Sequence, residues 1–237
     1  MKELGKKLIK YFKTFKLYPL IPFISLLGIQ NLMYFGSQIL NSNFHYNVVK
    51  WPIDNKIPFI PSMSLIYFGC YIFWFTSPML MGKYLTKERF YRYITALLLS
   101  HIICFIIFLI YPTKYVDPRM TIDEVDSFTK WVCMKIYLRD TPTNLLPSVH
   151  TTVSWLCFIP FRFVKDGKVL KKLVWFQGLF AILVLFSTLA VKQHYLIDII
   201  FGVLLVEILF FISNKTNLYK VFMKFFTKIN KFFKLEK

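Results

Sequence analysis

The sequence predicts an all-α integral membrane protein, a six-transmembrane-helix bundle that forms one domain over residues 1–237. Three observations favour this fold class. The chain is 56% hydrophobic, its apolar residues form six long runs almost free of charge, and its net charge of +18 falls mainly between those runs. A nucleic-acid-binding domain can carry such a charge, but it does not also carry 27 phenylalanines in long uncharged runs. We therefore expect no nucleic acid partner.

Each predicted span is an apolar run close to the roughly 20 residues that cross a bilayer as a helix. The first run contains Gln30 and Asn31, and the fourth is short and contains Pro160. The six runs are Leu17–Ser37, Phe59–Met81, Tyr93–Tyr111, Ser148–Val164, Leu173–Val191 and His194–Ser213.

The distribution of charge predicts the orientation of the bundle. Most of the 30 Lys and Arg residues lie in 1–16, 82–92, 165–172 and 215–237, which share one side of the membrane. The loops on the other side are nearly neutral. Because positive charge marks the cytoplasmic side, we expect a multi-pass protein of the cell membrane with both termini in the cytoplasm.

The two tails, 1–16 and 215–237, are predicted to be basic and amphipathic. In the second tail, apolar residues recur at helical spacing and lysines fill other positions. Such a helix lies on an anionic membrane surface, so inner-leaflet lipids are the expected partners. A protein-binding helix of the calmodulin-target kind is the alternative. The apolar positions are Leu218, Val221, Phe222, Phe225, Ile229 and Phe232.

Polar residues are costly beside a bilayer, so three polar clusters on the predicted outer face are candidate functional sites. The first follows the third run and contains Lys114 and Arg119. A guanidinium fork and an ammonium both suit phosphate, so the two could hold an anion. Snorkelling of both cations to the interface is the alternative.

The second cluster opens the fourth run at Pro147 and Ser148, a pair typical of a helix start. The free N–H groups and the dipole of a helix N-terminus bind anions. His150 lies in the first turn, where it could donate a proton to a leaving group. A histidine with a purely structural role is the alternative.

The third cluster joins the fifth and sixth runs and contains Lys192, His194 and Asp198. His194 and Asp198 are four residues apart, and are therefore neighbours on one helix face. A carboxylate that holds one imidazole nitrogen raises the nucleophilicity of the other, and Lys192 adds a cation. A helix-capping His–Asp pair without chemistry is the alternative.

Other notable residues are expected to be structural. His101 lies deep in the third run and is predicted to pack or to bridge helices. Glu207 lies about half a turn around the helix from Asp198, so we expect it to face away from the site and either pair with another helix or snorkel inward. The four cysteines show no metal or disulfide spacing, and Cys133 is predicted to lie in a polar loop.

The order and spacing of the three clusters resemble the signatures of the type 2 phosphatidic acid phosphatase superfamily, over roughly residues 50–205. Residues 147–150, P-S-V-H, resemble the second signature, P-S-x-H. Residues 187–198 resemble the third, S-R-x5-H-x3-D, and the stretch 114–119 resembles the first, K-x6-R-P.

The resemblance implies a role for each residue. His194 would attack phosphorus, Asp198 would orient it, and His150 would protonate the leaving alkoxide. No metal and no cofactor is implied, which fits a sequence without a carboxylate cluster able to hold Mg²⁺. The phosphate-binding residues would be Lys114, Arg119 and Ser148.

Two departures from the signatures concern phosphate binding. Thr188 stands where the third signature has Arg, and Lys192 is our candidate for the missing cation. This variant is similar to the branch of lipid head-group phosphotransferases that includes inositol phosphorylceramide synthases. The first signature is compressed, and Pro118 precedes Arg119 instead of following it, which favours Arg119 over Lys114 as a ligand.

The resemblance implies hydrolysis of a lipid phosphate monoester or pyrophosphate at the outer membrane face through a phosphohistidine intermediate. Phosphatidic acid, phosphatidylglycerol phosphate and polyprenyl pyrophosphate are the candidate substrates, so a membrane lipid is the expected partner. Head-group phosphotransfer to a lipid alcohol is the second hypothesis, and a non-catalytic lipid-binding scaffold is the third. The loop 120–140 is expected to influence specificity because it lies beside the predicted site.

Overall fold

The structure is a computed structural model that describes residues 14–162 and 168–236, without the side chains of residues 168–170. The predicted tail 1–16 therefore lies almost wholly outside the described residues, as do residues 163–167. Within the described ranges the fold is all-helical, as predicted. Its α-helices are α1 (Leu20–Leu40), α2 (Met63–Tyr84), α3 (Lys87–Ile110), α4 (Phe128–Arg139), α5 (Val149–Arg162), α6 (Lys168–Ala190), α7 (Leu196–Lys215) and α8 (Tyr219–Phe232).

In the part of the chain that the structure describes, five helices are long and apolar enough to cross a membrane: α1, α2, α3, α6 and α7. They coincide with five of the six predicted runs. Helix α5, in the fourth run, is described over 14 residues and reaches Arg162, directly before residues 163–167, which lie outside the described residues. The helical membrane bundle is thus confirmed, and the sixth span stays a prediction.

The observed helix ends differ from the predicted runs by a few residues. The largest difference is at α3, which begins at Lys87 and not at Tyr93. Thr86 caps this helix, because its hydroxyl accepts the N–H of Arg89 at 3.2 Å. A capped polar first turn extends the helix beyond its apolar run, so hydropathy alone places the start too late.

The loops that follow α1, α3 and α6 meet at one end of the bundle. The N–H of Asn47 donates to the carbonyl of Pro112 at 2.8 Å, and the N–H of Ile60 donates to that of Ala190 at 3.0 Å. These bonds tie the segment between α1 and α2 to the ends of α3 and α6. All three predicted polar clusters lie at this end.

Helices α5 and α7 cross closely just below the outer loops. A Cβ atom at Gly202 would lie 2.9 Å from the side chain of Thr151, so the crossing requires glycine. At the same place the N–H of Ser148 donates to the carbonyl of Asp198 at 3.1 Å. The start of α5 is thereby held against the first turn of α7.

At the other end of the bundle, Glu207 of α7 pairs with α5, as predicted for a residue facing away from the site. Its two oxygens accept bidentate bonds from Arg162 at 2.7 Å each, and Trp155 Nε1 donates to one of them at 2.8 Å. A bidentate Arg–carboxylate pair is among the stronger polar contacts, so it holds α5 and α7 together at that end.

The loop 120–140 contains helix α4, which the sequence analysis did not predict. Ser127 caps it by accepting the N–H of Lys130 at 3.4 Å. Cys133 is buried on one face of this helix together with Val132 and Ile136. The placement of Cys133 in a polar loop is therefore wrong, because three apolar residues at helical spacing are enough to dock a short helix.

The predicted amphipathic C-terminal helix is present as α8, and part of its apolar face packs on the bundle. Phe222 and Ile229 contact the buried core, and Asn230 Nδ2 donates to the carbonyl of Tyr18 at 3.0 Å. The other face stays open, which fits a helix on a membrane surface. Its exposed apolar residues are Leu218, Val221, Phe225 and Phe232.

Candidate active site

His194 and Asp198 are in direct contact within the site. His194 lies in the turn before α7 and not in the helix itself, where Tyr195 is the N-cap residue. Asp198 Oδ2 accepts the N–H of Tyr195 at 2.8 Å and lies 3.2 Å from His194 Nδ1. Both side chains are buried, with 7% of His194 and none of Asp198 exposed. The carboxylate orients the ring through Nδ1, which leaves Nε2 as the nitrogen for chemistry.

His150 faces this pair from the first turn of α5. The ring centroids of His150 and His194 are 5.9 Å apart. Tyr67 and Trp74 of α2 pack on His150 with centroid separations of 4.5 and 5.5 Å. Its Nε2 is buried without a hydrogen-bond partner among the described residues. A buried ring nitrogen without a partner is costly, and a bound substrate oxygen would satisfy it.

Ser148 acts locally as the cap of α5. Its hydroxyl oxygen accepts the N–H of Thr151 at 3.3 Å, and the residue is fully buried. A serine hydroxyl that accepts one bond can still donate its own hydrogen. Ser148 can therefore cap the helix and donate to a phosphate oxygen at once.

Arg119 reaches the site through Gln193, a residue that the sequence analysis missed. Arg119 Nη2 donates to Gln193 Oε1 at 2.9 Å, and Gln193 directly precedes His194 in the sequence. The guanidinium carbon lies 5.1 and 5.0 Å from the ring centroids of Tyr115 and Tyr137. Burial lowers the pKa of Arg119 below its ordinary value, but a guanidinium stays charged at neutral pH. Arg119 is therefore a cation held in a fixed orientation by Gln193, the residue before His194.

Thr188, where the family signature has Arg, shapes the turn before α7. Its hydroxyl donates to the carbonyl of Leu185 at 2.8 Å. Its own carbonyl accepts the N–H groups of Gln193 at 3.0 Å and His194 at 3.3 Å. The hydroxyl at this position therefore bonds within its own helix, and the cation that contacts this turn is Arg119, through Gln193.

The other two predicted phosphate ligands lie further out. Lys114 is exposed at the end of α3. Lys192 donates from Nζ to the carbonyl of Ile57, and burial lowers the pKa of its ammonium. Among the described residues, neither side chain contacts His150 or His194. Their part in phosphate binding stays a prediction.

Asp140 is a further site residue that the sequence analysis did not single out. Its Oδ1 accepts the hydroxyl of Tyr34 at 2.7 Å, and its Oδ2 accepts that of Tyr67 at 2.6 Å. Since Tyr67 also packs on His150, the carboxylate is linked to the histidine through one aromatic ring. The available signal was its position as the first residue of the second polar cluster, which runs from Asp140 to His150.

A metal site is not found in the described part of the chain, where no three His, Cys, Asp or Glu side chains are grouped to hold an ion. The expectation of metal-independent chemistry stays a prediction.

Comparison with known proteins gives one finding. No curated protein and no solved structure matches the chain. The family model described as the PAP2 superfamily matches residues 42–212, a stretch that contains all seven residues predicted for the site. Because the match covers well over half of the 237 residues, the chain belongs to the PAP2 superfamily, which supports a phosphatase-type enzyme in general.

Proposed function

We propose that the protein hydrolyses a lipid phosphate monoester or pyrophosphate at the outer membrane face, through a phosphohistidine. One observation carries the proposal: the Asp198-held His194 faces His150 at a ring separation of 5.9 Å. Two-step phosphoryl transfer needs a nucleophile with an orienting carboxylate and, on the other side of the bound substrate, a second histidine that moves a proton. These three residues supply that arrangement.

In the first step, His194 Nε2 forms a bond to phosphorus as the bond from phosphorus to the lipid oxygen breaks. His150, protonated at Nε2, gives its proton to the leaving alkoxide. Arg119 and Ser148 donate hydrogen bonds to the phosphoryl oxygens, whose charge grows in the transition state. A monoester releases the lipid alcohol, a pyrophosphate releases the lipid monophosphate, and in either case the phosphoryl group stays on His194.

In the second step, His150 takes a proton from water as the water oxygen attacks phosphorus. The bond from His194 Nε2 to phosphorus breaks and inorganic phosphate leaves, which restores both histidines. Asp198 stabilises the charge that develops on the His194 ring in both steps.

Transfer to a lipid alcohol is the second candidate function, and one observation favours it. The cavity beside His150 is walled by Tyr34 and Phe35 of α1 and by Tyr71 and Trp74 of α2, both spanning helices. A lipid alcohol could therefore approach His150 from the bilayer and take the place of water. Labelled phosphatidic acid, incubated with and without candidate alcohols, separates the two reactions by product.

The test of the catalytic assignment is a set of three His→Ala variants assayed in detergent micelles with labelled phosphatidic acid. We expect His194→Ala to lose several orders of magnitude in phosphate release and to trap no label on the protein. His150→Ala should lose activity as well. His45→Ala is the matched control, because His45 is exposed on the same face outside the site. Unchanged release or transfer in both site variants would overturn the assignment.

The orientation belongs to the same proposal: both termini in the cytoplasm and the site outside. The charge distribution supports it, because the lysine-rich helix α8 and the polar clusters lie at opposite ends of the bundle. Anionic inner-leaflet lipids are the proposed partners of α8, whose exposed apolar side chains would enter the lipid surface.

A further inference from the structure

A cavity of about 70 Å³ borders the site at His150. Its lining includes His150 but not His194, Asp198, Ser148 or Arg119. In the proposed reaction His150 protonates the leaving oxygen, so this cavity adjoins the leaving group and not the transferred phosphoryl group. Its volume gives room for about five atoms the size of a water oxygen, which is the size of a phosphate group.

The cavity opens to the surface of the bundle between α1 and α2. Four side chains of its lining are exposed: Asn31 and Phe35 of α1, Tyr71 of α2 and Arg139 of α4. Because α1 and α2 are long and apolar enough to cross a membrane, a lipid bound here can extend its chain along them into the bilayer.

Arg139 places a cation in the lining of this cavity. It is the last residue of α4, and its guanidinium makes no hydrogen bond or ion pair with another described residue. Asp140 is the other charged residue of the lining, but its two oxygens accept the hydroxyls of Tyr34 and Tyr67 at 2.7 and 2.6 Å. The N–H donors of Arg139 therefore remain available to a ligand.

Two further side chains of the lining can donate hydrogen bonds. Asn31 Nδ2 donates to the carbonyl of Leu27 at 2.8 Å, and an amide nitrogen carries a second hydrogen. The hydroxyl of Tyr71 makes no hydrogen bond to another described residue. A guanidinium and two available donors beside a space of phosphate size favour an anion over a neutral alcohol.

We propose that Arg139, Asn31 and Tyr71 form a second phosphate subsite, which binds a phosphate group in the leaving part of the substrate. The preferred substrates are then lipids that keep one phosphate after the terminal one is removed, namely a lipid pyrophosphate or phosphatidylglycerol phosphate. Phosphatidic acid is disfavoured because its leaving group is uncharged. This inference rests on the proposed function and specifies its substrate class.

The subsite acts on the first step of the reaction. The bond from the terminal phosphorus to the leaving oxygen breaks as His194 Nε2 bonds to that phosphorus, and His150 gives the oxygen its proton. Arg139 is a specificity residue, because it binds the phosphate that departs with the lipid and not the one that is transferred. It lies in the loop 120–140, which the sequence analysis expected to influence specificity.

The test compares kcat/KM for phosphatidic acid, diacylglycerol pyrophosphate and phosphatidylglycerol phosphate with the same acyl chains in detergent micelles. The first two lipids differ by one phosphate group. The wild type should prefer one or both of the lipids with two phosphates to phosphatidic acid by about tenfold or more, the value of a hydrogen bond to a charged group. The pyrophosphate and phosphatidylglycerol phosphate arms distinguish a directly attached phosphate from one beyond a glycerol.

The decisive quantity is the change of this ratio in variants, because a pyrophosphate is also intrinsically the more reactive substrate. Arg139→Ala should lower the ratio by about tenfold. Arg139→Lys should keep part of the preference, since it retains the charge and loses the planar fork. The lipid-free melting temperature of Arg139→Ala should match that of the wild type, because the side chain is exposed.

Lys135→Ala is the matched control. Lys135 is an exposed cation one turn before Arg139 on the same helix, and its ammonium lies 5.3 Å from the ring centroid of Trp131. It does not line the cavity, so its removal should leave the ratio unchanged. An equal effect of both substitutions would show a general attraction of α4 for anionic lipid and would overturn the subsite.

An Arg139→Ala variant that keeps the wild-type ratio, or that loses activity equally on all three lipids, would also overturn the subsite while the proposed function stands. Absence of turnover of every lipid by the wild type would instead contradict the proposed function. In that case the melting-temperature shifts produced by the three lipids decide the subsite, since binding alone stabilises the protein. A larger shift with two phosphates that Arg139→Ala abolishes would support it, and equal shifts would overturn it.

Discussion

Replacing Asp198 by Asn should separate the chemistry of the site from its folding. In the wild type, one carboxylate oxygen accepts the N–H of Tyr195 at 2.8 Å and lies 3.2 Å from His194 Nδ1. Asparagine keeps an oxygen that can cap α7 in the same way. It removes the negative charge that holds the His194 ring and stabilises its positive form.

The two effects differ in size. Loss of the charge should lower kcat by about 10²- to 10⁴-fold, or about 3–5 kcal/mol in the barrier, as when the carboxylate of a Ser-His-Asp triad is replaced. Loss of a side-chain cap costs about 1 kcal/mol at most helix ends, and Asn is itself a good cap. We therefore expect a large loss of rate with a change in unfolding free energy below about 1 kcal/mol.

The assay is the initial rate of phosphate release per folded protein in micelles, alongside the melting temperature. Glu207→Gln is the matched control, because Glu207 lies on the same helix and pairs with Arg162 and Trp155 at the other end of the bundle. It should lower stability and keep the rate. An Asp198→Asn variant with a rate within about tenfold of the wild type would refute the orienting role of the carboxylate.

Three further variants test the residues around the histidines. Arg119→Lys should raise KM by about tenfold or more, measured by steady-state kinetics, because lysine lacks the planar fork that lies between two tyrosine rings. Lys192→Ala should lose less activity than Arg119→Ala, since its ammonium already bonds to a loop carbonyl; comparable losses would show that it replaces the missing signature Arg. Asp140→Asn should lower kcat about tenfold or more by loosening the Tyr67 ring on His150, and Tyr67→Phe should reproduce part of that loss in the same assay. An Asp140→Asn rate equal to that of the wild type would contradict this link.

The membrane bundle was predictable because hydropathy and charge are properties of whole segments. Apolar length locates a span, and lysine excess orients it, without any knowledge of side-chain contacts. The predictions were wrong where a few residues determine the local structure. Thr86 extends α3 through a cap, and α4 forms from three buried residues in a loop that reads as polar.

The site was predictable only in part, for a similar reason. The spacing of His194 and Asp198 implies contact within one chain segment, and the structure confirms it at 3.2 Å. The facing position of His150 came from the family resemblance, because no spacing rule joins two different helices. Asp140 was missed since its partners Tyr34 and Tyr67 are 106 and 73 residues away in the sequence.

At one end of the bundle a buried charge is fully paired, whereas at the other end polar atoms of the site have no partner among the described residues. This difference explains how the site can bind a substrate. At the end of the bundle away from the site, Glu207 is bonded by both Arg162 and Trp155, so its charge is matched and stabilises the packing of α5 on α7. At the end that holds the site, His150 Nε2 and Asp198 Oδ1 are buried without partners among the described residues. Unpaired atoms lower stability, so a site that contains them depends on its surroundings for rigidity. The close crossing at Gly202, where the side chain of Thr151 packs against the glycine, gives that rigidity without using the polar atoms above it, which remain free for phosphate.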